Sequence, residues 1–407
     1  MKAFMELDAN LKLRAFTVFL TVLLSSSIGP NMTFYYLKYF GSLWTGILLV
    51  IVSVAGFLGS LYGGHLADAW GRRPTMLVGA GLMITGYILA TLANSPWLFQ
   101  PGLTFWGFLI AMAGGSLADP ADQAMMIDVS TPANRQFVFA LIYWIVNIGV
   151  MFGAAIGGWF FRDYLFYLLL GMTFGAVINF LVIFLGMRET FTGQAKEQAK
   201  TVKQALRSYL TVLQDRRYTI FALGAVLSIV VYSQIDYYLP AHLTADFHTY
   251  WLWAQEIYGQ RMLSLMMITN TALIIVFMGL INHYSTRWPL IFGFSVGQGL
   301  QGFGIALSFI LGDFWPLILA TLIWTLGEII VVPAGQTIRA DLMDPDRIGA
   351  YSGVFAVTRP IGTIIAGSMV SLSSLINKWG MAVIILIMTI AAIGLTVKAV
   401  NTPQKSK

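Results

Sequence analysis

Asp119, Asp122, Asp236, Glu328 and Arg359 each fall inside a run of apolar residues long enough to cross a bilayer. A charged side chain held in hydrocarbon costs at least ~2.5 kcal/mol, and such residues mark ion or substrate pathways by default. Glu328 lies near the middle of its run, WTLGEIIVVP. Hydrocarbon disfavours a bare carboxylate, so a carboxyl at that depth can load and release a proton. It can equally be a structural group paired with Arg359. Asp119 and Asp122 stand three apart and so share a helix face. As close neighbours they would titrate as a coupled pair, which suits a proton or cation site. They would also serve as a charged gate lining a water-filled inner vestibule. Asp236, in SQIDYYLP, has Tyr232, Tyr237 and Tyr238 beside it in sequence. Aromatic faces around a carboxylate hold organic cations. Aromatic residues gathered at a membrane interface would read the same way. Arg359 is a counter-ion to these acids or a binder of acidic lipid headgroups.

The elements that must carry these residues follow from composition. Of 407 residues, 57% are hydrophobic and 10% charged, with mean hydropathy +0.75. So few charges cannot cover a water-facing surface of that size, so lipid must cover much of it. The net charge of +6 is dispersed between apolar runs, which excludes a nucleic-acid footprint. The absence of cysteine excludes disulfides, thiol catalysis and thiolate metal sites. Four scattered histidines form no metal cluster, and no metal or cofactor is expected. No Ser-His-Asp grouping or phosphate-binding glycine loop is present, so a membrane enzyme is not expected. The first apolar run is longer than a signal core and lacks a small-residue cleavage site, so it is expected to be retained.

A spanning helix needs about 20 apolar residues. That ruler gives twelve spans, near 15–37, 44–66, 75–93, 102–127, 136–160, 164–187, 218–240, 262–281, 289–311, 314–336, 349–373 and 379–400. With the N-terminus in the cytoplasm, 19 of the 24 Lys and Arg residues fall in inner loops and four in outer ones, with Arg359 left in the membrane. That bias places both termini inside. The polar stretch Arg188–Arg217 follows the sixth span. It is either an amphipathic helix on the inner leaflet or a solvated linker. The expected organisation is a six-helix bundle over 1–190, a cytoplasmic linker over 191–217 and a second six-helix bundle over 218–407. Asp128-x-x-x-Pro132-x-x-Arg135 and Asp341-x-x-x-Pro345-x-Arg347 occupy corresponding places in the two halves. Such repeats, with a substrate site at their interface, are the build of secondary transporters.

Between the second and third spans lies Gly64–Leu77, GHLADAWGRRPTML. Its arginines must stay on one side of the bilayer, and Asp68 can latch across a helix seam that Gly64 and Gly71 keep close. Its Gly-x-x-x-Asp-x-x-Gly-Arg-Arg order resembles the signature loop of the major facilitator superfamily. Ala69 stands where that family usually has a basic residue. The fifth span carries Gly149-x-x-x-Gly153-Ala-x-x-Gly157-Gly158, a face for close helix packing. It also resembles the antiporter motif of drug-exporting members, with Ala154 in place of their proline.

Further strings narrow the resemblance: MMIDVSTPANR with Asp128, QIDYYLPAHL with Asp236, EIYGQRML, and TLGEII followed by ADLMDPDRIGAYSGV. From about Leu7 to Asn401 the chain is similar to the LmrP-like proton-coupled multidrug exporters. The resemblance implies an all-α membrane protein, with twelve transmembrane helices in two pseudo-symmetric six-helix bundles. It implies a proton/drug antiporter of the bacterial cytoplasmic membrane that exports hydrophobic, often cationic compounds by alternating access. Protons, hydrophobic small molecules and membrane lipids would be its partners, and it would act as a monomer. Gly64, Asp68, Gly71, Arg72, Arg73, Asp128 and Arg135 would form the conformational switch. Glu328, Asp119, Asp122 and Asp236 would couple protons. Glu328, Asp236, Tyr232, Tyr237, Tyr238 and Arg359 would meet substrate. The family's membrane aspartate in the fifth span is Ile142 here, and Asp119 and Asp122 are expected to take over its role. Lysolipid or glycolipid flipping, or uptake of a small nutrient, is the rival use of the same scaffold. A sensor that binds ligand without moving it is a third.

Overall fold

A computed structural model describes residues 7–131, 134–191, 210–285, 287–344 and 347–403. The expected linker lies largely outside them, as do Pro132, Pro345 and the side chain of Arg135. The described chain is almost wholly helical. It begins with α1 (Ala9–Ala69), which runs for 61 residues. A helix of that length would be about 90 Å long, three times a bilayer core. Gly41 breaks it, with φ +75°, a conformation that glycine adopts freely and other residues rarely do. The two arms, 9–40 and 42–69, are the first two spans. After them come α2 (Arg72–Ala93), α3 (Pro101–Val129), α4 (Arg135–Phe160) and α5 (Leu165–Leu181). A π-helical turn, Val182–Gly186, ends α5.

The second half repeats the series with two interruptions. The seventh span is α6 (Arg216–Ser233) followed, after a turn, by α7 (Tyr238–Asp246). Then come α8 (Gly259–Ser285), α9 (Leu290–Ser308) and α10 (Phe314–Leu342). The eleventh span is α11 (Ile348–Ala356) and α12 (Thr358–Leu372), separated at Val357, and α13 (Lys378–Asn401) closes the chain. The single seventh span expected over 218–240 is therefore corrected to a broken one. Asp236 sits in its break, and Arg359 is the second residue after the break in the eleventh. Non-helical backbone at membrane depth is tolerated only where protein or a water-filled cavity satisfies it. Two short antiparallel hairpins lie between spans, β1 (Asn94–Ser95) with β2 (Leu98–Phe99) and β3 (Tyr250–Leu252) with β4 (Gln255–Ile257).

The chain packs as two compact units, Met1–Met32 with Ile51–Ala199, and Thr33–Val50 with Lys200–Lys407. In the first, Ala67, Met76, Ala80, Ala121, Met125, Ile183 and Met187 form a buried core. A close seam joins α2 to α3. A Cβ added to Gly79 would lie 2.5 Å from the Gly114 carbonyl oxygen, and one added to Gly114 would lie 2.6 Å from that of Gly79. In the second unit, Tyr218, Phe221, Phe294, Val331, Ile338 and Tyr351 anchor the core. There Gly297 and Gly327 bring α9 against α10 in the same manner, with the Gly297 oxygen 2.6 Å from a Cβ added to Gly327. Without a hydrophobic drive between helices in lipid, small residues at the seam supply the close packing. The segment 33–50 belongs to the second unit because it is bonded there: Ser371 Oγ donates to the Leu43 carbonyl (2.8 Å) and Thr33 Oγ1 to that of Asp236 (2.9 Å). Large apolar side chains such as Phe174, Leu185, Val276 and Ile390 remain exposed, as lipid-facing residues should.

Candidate functional site

Each unit holds candidate residues in a network of hydrogen bonds. In the first unit Arg72, at the start of α2, is the centre. Its Nη1 donates to Asp68 Oδ1 (3.0 Å) and to the Ala67 carbonyl (2.7 Å), and its Nε to Asp128 Oδ2 (3.1 Å). Asp68 comes from the end of α1 and Asp128 from the end of α3, so one guanidinium ties three helix ends. Its fixed fork of donors makes such multiple ligation possible. Phe191 stacks over it at 4.8 Å. Gly71 precedes α2 at φ +113°, and a Cβ there would lie 2.6 Å from Glu189 Oε2. Glu189 accepts from the backbone N–H groups of Arg72 (3.1 Å) and Arg73 (3.0 Å). It thus places a carboxylate at a helix N-terminus, where the unpaired N–H groups favour an anion. Arg73 turns to the π-helical end of α5, donating to the Phe184 carbonyl at 2.5 Å. Gly64 faces Pro120, 3.9 Å from where its Cβ would be. Of the residues expected in the switch, Asp68, Arg72 and Asp128 are thus in direct contact, with Glu189 and Thr190 beside them. Thr190 Oγ1 donates to Asp128 Oδ2 at 3.1 Å.

Asp119 and Asp122 part company. Asp119 is exposed, whereas Asp122 pairs with Arg14, Nη2 to Oδ2 at 2.8 Å, both side chains nearly covered. α1 begins at Ala9, so Arg14 already belongs to the first helix. Arg14 Nη1 also donates to Thr17 Oγ1 (3.0 Å). Arg14 Nε and Asp122 Oδ1 are buried without a hydrogen-bond partner. The antiporter-like glycines of the fifth span pack on the first: a Cβ on Gly153 would meet the Leu23 carbonyl at 2.6 Å, and Gly157 abuts Ser27 and Asn31.

In the second unit the centre is Glu328, the midpoint of the 29-residue α10. Its Oε1 accepts from the Tyr232 hydroxyl (3.1 Å) and its Oε2 from Asn270 Nδ2 (2.8 Å). Asn270, buried on α8, also donates from Nδ2 to Thr325 Oγ1 (3.1 Å). The alternative of a Glu328–Arg359 pair is not what forms: among the described residues Glu328 makes no salt bridge, and its donors Tyr232 and Asn270 are both neutral. Arg359 is exposed, and its charge acts on Asp236 and Tyr232 without a salt bridge to either. Asp236 keeps a buried Oδ1 with no hydrogen-bond partner. The expected aromatic ring around it is not formed by all three tyrosines. Tyr238 packs edge-on against Phe309 at 4.6 Å, Tyr232 turns to Glu328, and Tyr237 is half-buried in the turn. The reason is the break in the span: helical spacing no longer relates 232 to 237 and 238.

Sequence reasoning found the acids but missed Asn270, Glu189 and the role of Arg14. A lone amide in the apolar run of α8 was a usable signal for Asn270. Nothing in local spacing pointed Glu189 at a helix start 117 residues earlier.

The arrangement resembles known transporters at several levels. The family model described as "Major Facilitator Superfamily" matches residues 14–367. A "Na(+), Li(+), K(+)/H(+) antiporter" of Planococcus maritimus is 28% identical over 355 residues, covering 83% of each chain. The "Multidrug resistance protein MdtH" of Escherichia coli O157:H7 is 26% identical, over 82% of this chain and 80% of that one. Among solved structures, a POT family transporter in complex with 5-aminolevulinic acid superposes with TM-score 0.74 over 96% of this chain and 95% of that one. At 17% identity that likeness concerns the fold alone.

Proposed function

Because this chain belongs to the major facilitator superfamily, a family of transporters and not enzymes, we propose that it is a proton-driven antiporter. It exports hydrophobic cationic compounds across the bacterial cytoplasmic membrane by alternating access. One observation carries the reading: a carboxylate at the midpoint of a spanning helix, held by a phenol and an amide and, among the described residues, by no salt bridge. A buried charge needs a counter-charge or must be neutralised. Glu328 can meet that need with a proton or with a positively charged ligand, but not with both. Mutual exclusion at one carboxylate is the minimal chemistry of exchange. Protons entering from outside would neutralise Glu328 and loosen the bound cation. Loss of the proton toward the cytoplasm would reset the site. Asp236, in the break of its span, and the half-open Tyr232 would add cation-holding surface. Asp122, released from Arg14, would carry a further proton.

The test is ethidium efflux at varied pH. Glu328→Gln keeps both hydrogen bonds possible but cannot ionise, so efflux is expected to lose its proton dependence. Unchanged pH dependence in that variant would discard the reading. A second reading, exchange of monovalent metal cations for protons, is favoured by the name of the Planococcus relative. It uses the same carboxylate. Proteoliposomes loaded with a pH gradient distinguish the two: dissipation by Na+, Li+ or K+ supports the metal reading, and dissipation by ethidium alone supports the first.

A further inference from the structure

The hydrogen bonds around Glu328 are not interchangeable, and their asymmetry has a consequence for coupling. Thr325 Oγ1 spends its own hydrogen on the Thr321 carbonyl (2.6 Å), so toward Asn270 it can only accept. That fixes the amide with its nitrogen, not its oxygen, toward Thr325 and Glu328. An amide nitrogen donates and does not accept. A proton arriving at Oε2 would therefore confront an N–H. At Oε1 the partner is the Tyr232 hydroxyl, which can donate or accept.

We propose that Tyr232 is the coupling residue that converts the proton load of Glu328 into a change at the ligand site. The proton binds Oε1, and the new O–H of Glu328 donates to the Tyr232 oxygen. The phenolic hydrogen must then leave that line. It stays bonded to its oxygen and swings in the ring plane to the other side. No bond to carbon or oxygen breaks, and the one added proton comes from water. The swing matters because it frees the hydroxyl of Tyr232, a residue 39% exposed as a whole, from Glu328 and offers its hydrogen to another acceptor. Before protonation the site offers a negative carboxylate. Afterwards it offers a neutral acid and a new donor, both of which disfavour a cation. The other charged groups whose fields reach Tyr232 are Asp236 and Arg359. They are of opposite sign, and among these charged groups Glu328 is the one hydrogen-bonded to the hydroxyl, so its state sets the hydroxyl's direction. Asn270 would be the positioning residue that forces the choice of oxygen.

This inference rests on the exchange reading above, and one experiment separates their failures. The full-length protein is reconstituted, and ethidium binding and infrared difference spectra are recorded between alkaline and mildly acidic buffer. In the unaltered protein, acid should weaken ethidium binding by about tenfold or more. A protonated-carboxyl band should rise together with a change in a tyrosine C–O–H band. Glu328→Gln should lose all three responses. Tyr232→Phe should keep the carboxyl band, lose the tyrosine band, and weaken binding by less than about threefold. If Glu328→Gln retains the pH response, the exchange reading falls and this one with it. If Glu328→Gln abolishes the response but Tyr232→Phe keeps the full loss of binding, the coupling role of Tyr232 alone is overturned. Should Tyr232→Phe not fold, the tyrosine band decides. It must change in the unaltered protein and stay silent in Glu328→Gln, and any other pattern refutes the proposal.

Discussion

Arg14 and Asp122 form the most thoroughly covered ion pair of the described chain, and it is an imperfect one. Each keeps a buried polar atom with no hydrogen bond. A buried pair can be no more stable than apolar residues of equal size, yet removing one partner leaves a bare charge and costs about 3–5 kcal/mol. Arg14→Leu is accordingly expected to lower the thermal midpoint of the detergent-solubilised protein sharply. Arg14→Leu with Asp122→Leu should recover most of it. If the double variant is as unstable as the single one, the pair matters through its geometry and not its charge. Function is tested separately: Asp119→Asn with Asp122→Asn should lose proton-driven export, and intact export would end the idea that these acids replace the missing one at Ile142. The acids were legible in the sequence because each interrupts an apolar run. Their partners were not, since Asn270 and Glu328 lie 58 positions apart and only the packing of α8 on α10 joins them. Charge against its background is a local signal, whereas pairing is a property of the fold.

The helices themselves were nearly all readable, and the glycines show where reading stopped. Length and hydropathy located the spans, and the gap left near residue 41 is where Gly41 breaks α1. Neither signal reveals which glycines are structural. Gly114 meets the backbone of α2 directly, while Gly81, on the same seam-forming α2, has nothing within 4 Å of its missing Cβ. Gly114→Val should therefore force α2 and α3 apart, at a cost of about 1–3 kcal/mol or more. Gly81→Ala should instead stabilise by roughly 0.5–1 kcal/mol, because it restricts the chain without touching a neighbour. Unfolding midpoints of the two variants check both signs, and equal effects would contradict the seam. Gly71→Ala belongs with the costly group. Its φ of +113° strains any other residue by about 1–3 kcal/mol, and the added carbon would push Glu189 off the start of α2. The turn that splits the seventh span escaped the sequence for a related reason. Ile235, Tyr237, Tyr238 and Leu239 alternate with Gln234 and Asp236 before Pro240, and no one of these residues marks the turn by itself.

At the scale of the whole chain, charge distribution predicts the orientation in the bilayer. The Lys and Arg residues expected on the inner side outnumber the outer ones 19 to four, and such a bias sets which side a multi-span protein presents. The hairpins give an independent geometric constraint. Trp97 lies between the third and fourth spans, and Trp253 between the seventh and eighth. Counting crossings, both must emerge on one face, opposite both ends of the chain. Their exposures of 84% and 92% make them reachable reporters, and a protein without cysteine is already a clean background for thiol labelling. In intact cells a membrane-impermeant maleimide is expected to label Trp97→Cys and Trp253→Cys, and to leave Ser406→Cys unlabelled until the cells are opened. The reverse pattern would invert the chain in the bilayer, and with it the direction in which protons reach Glu328. Labelling of only one hairpin would be graver, because an odd number of crossings between them would contradict the twelve-span count itself.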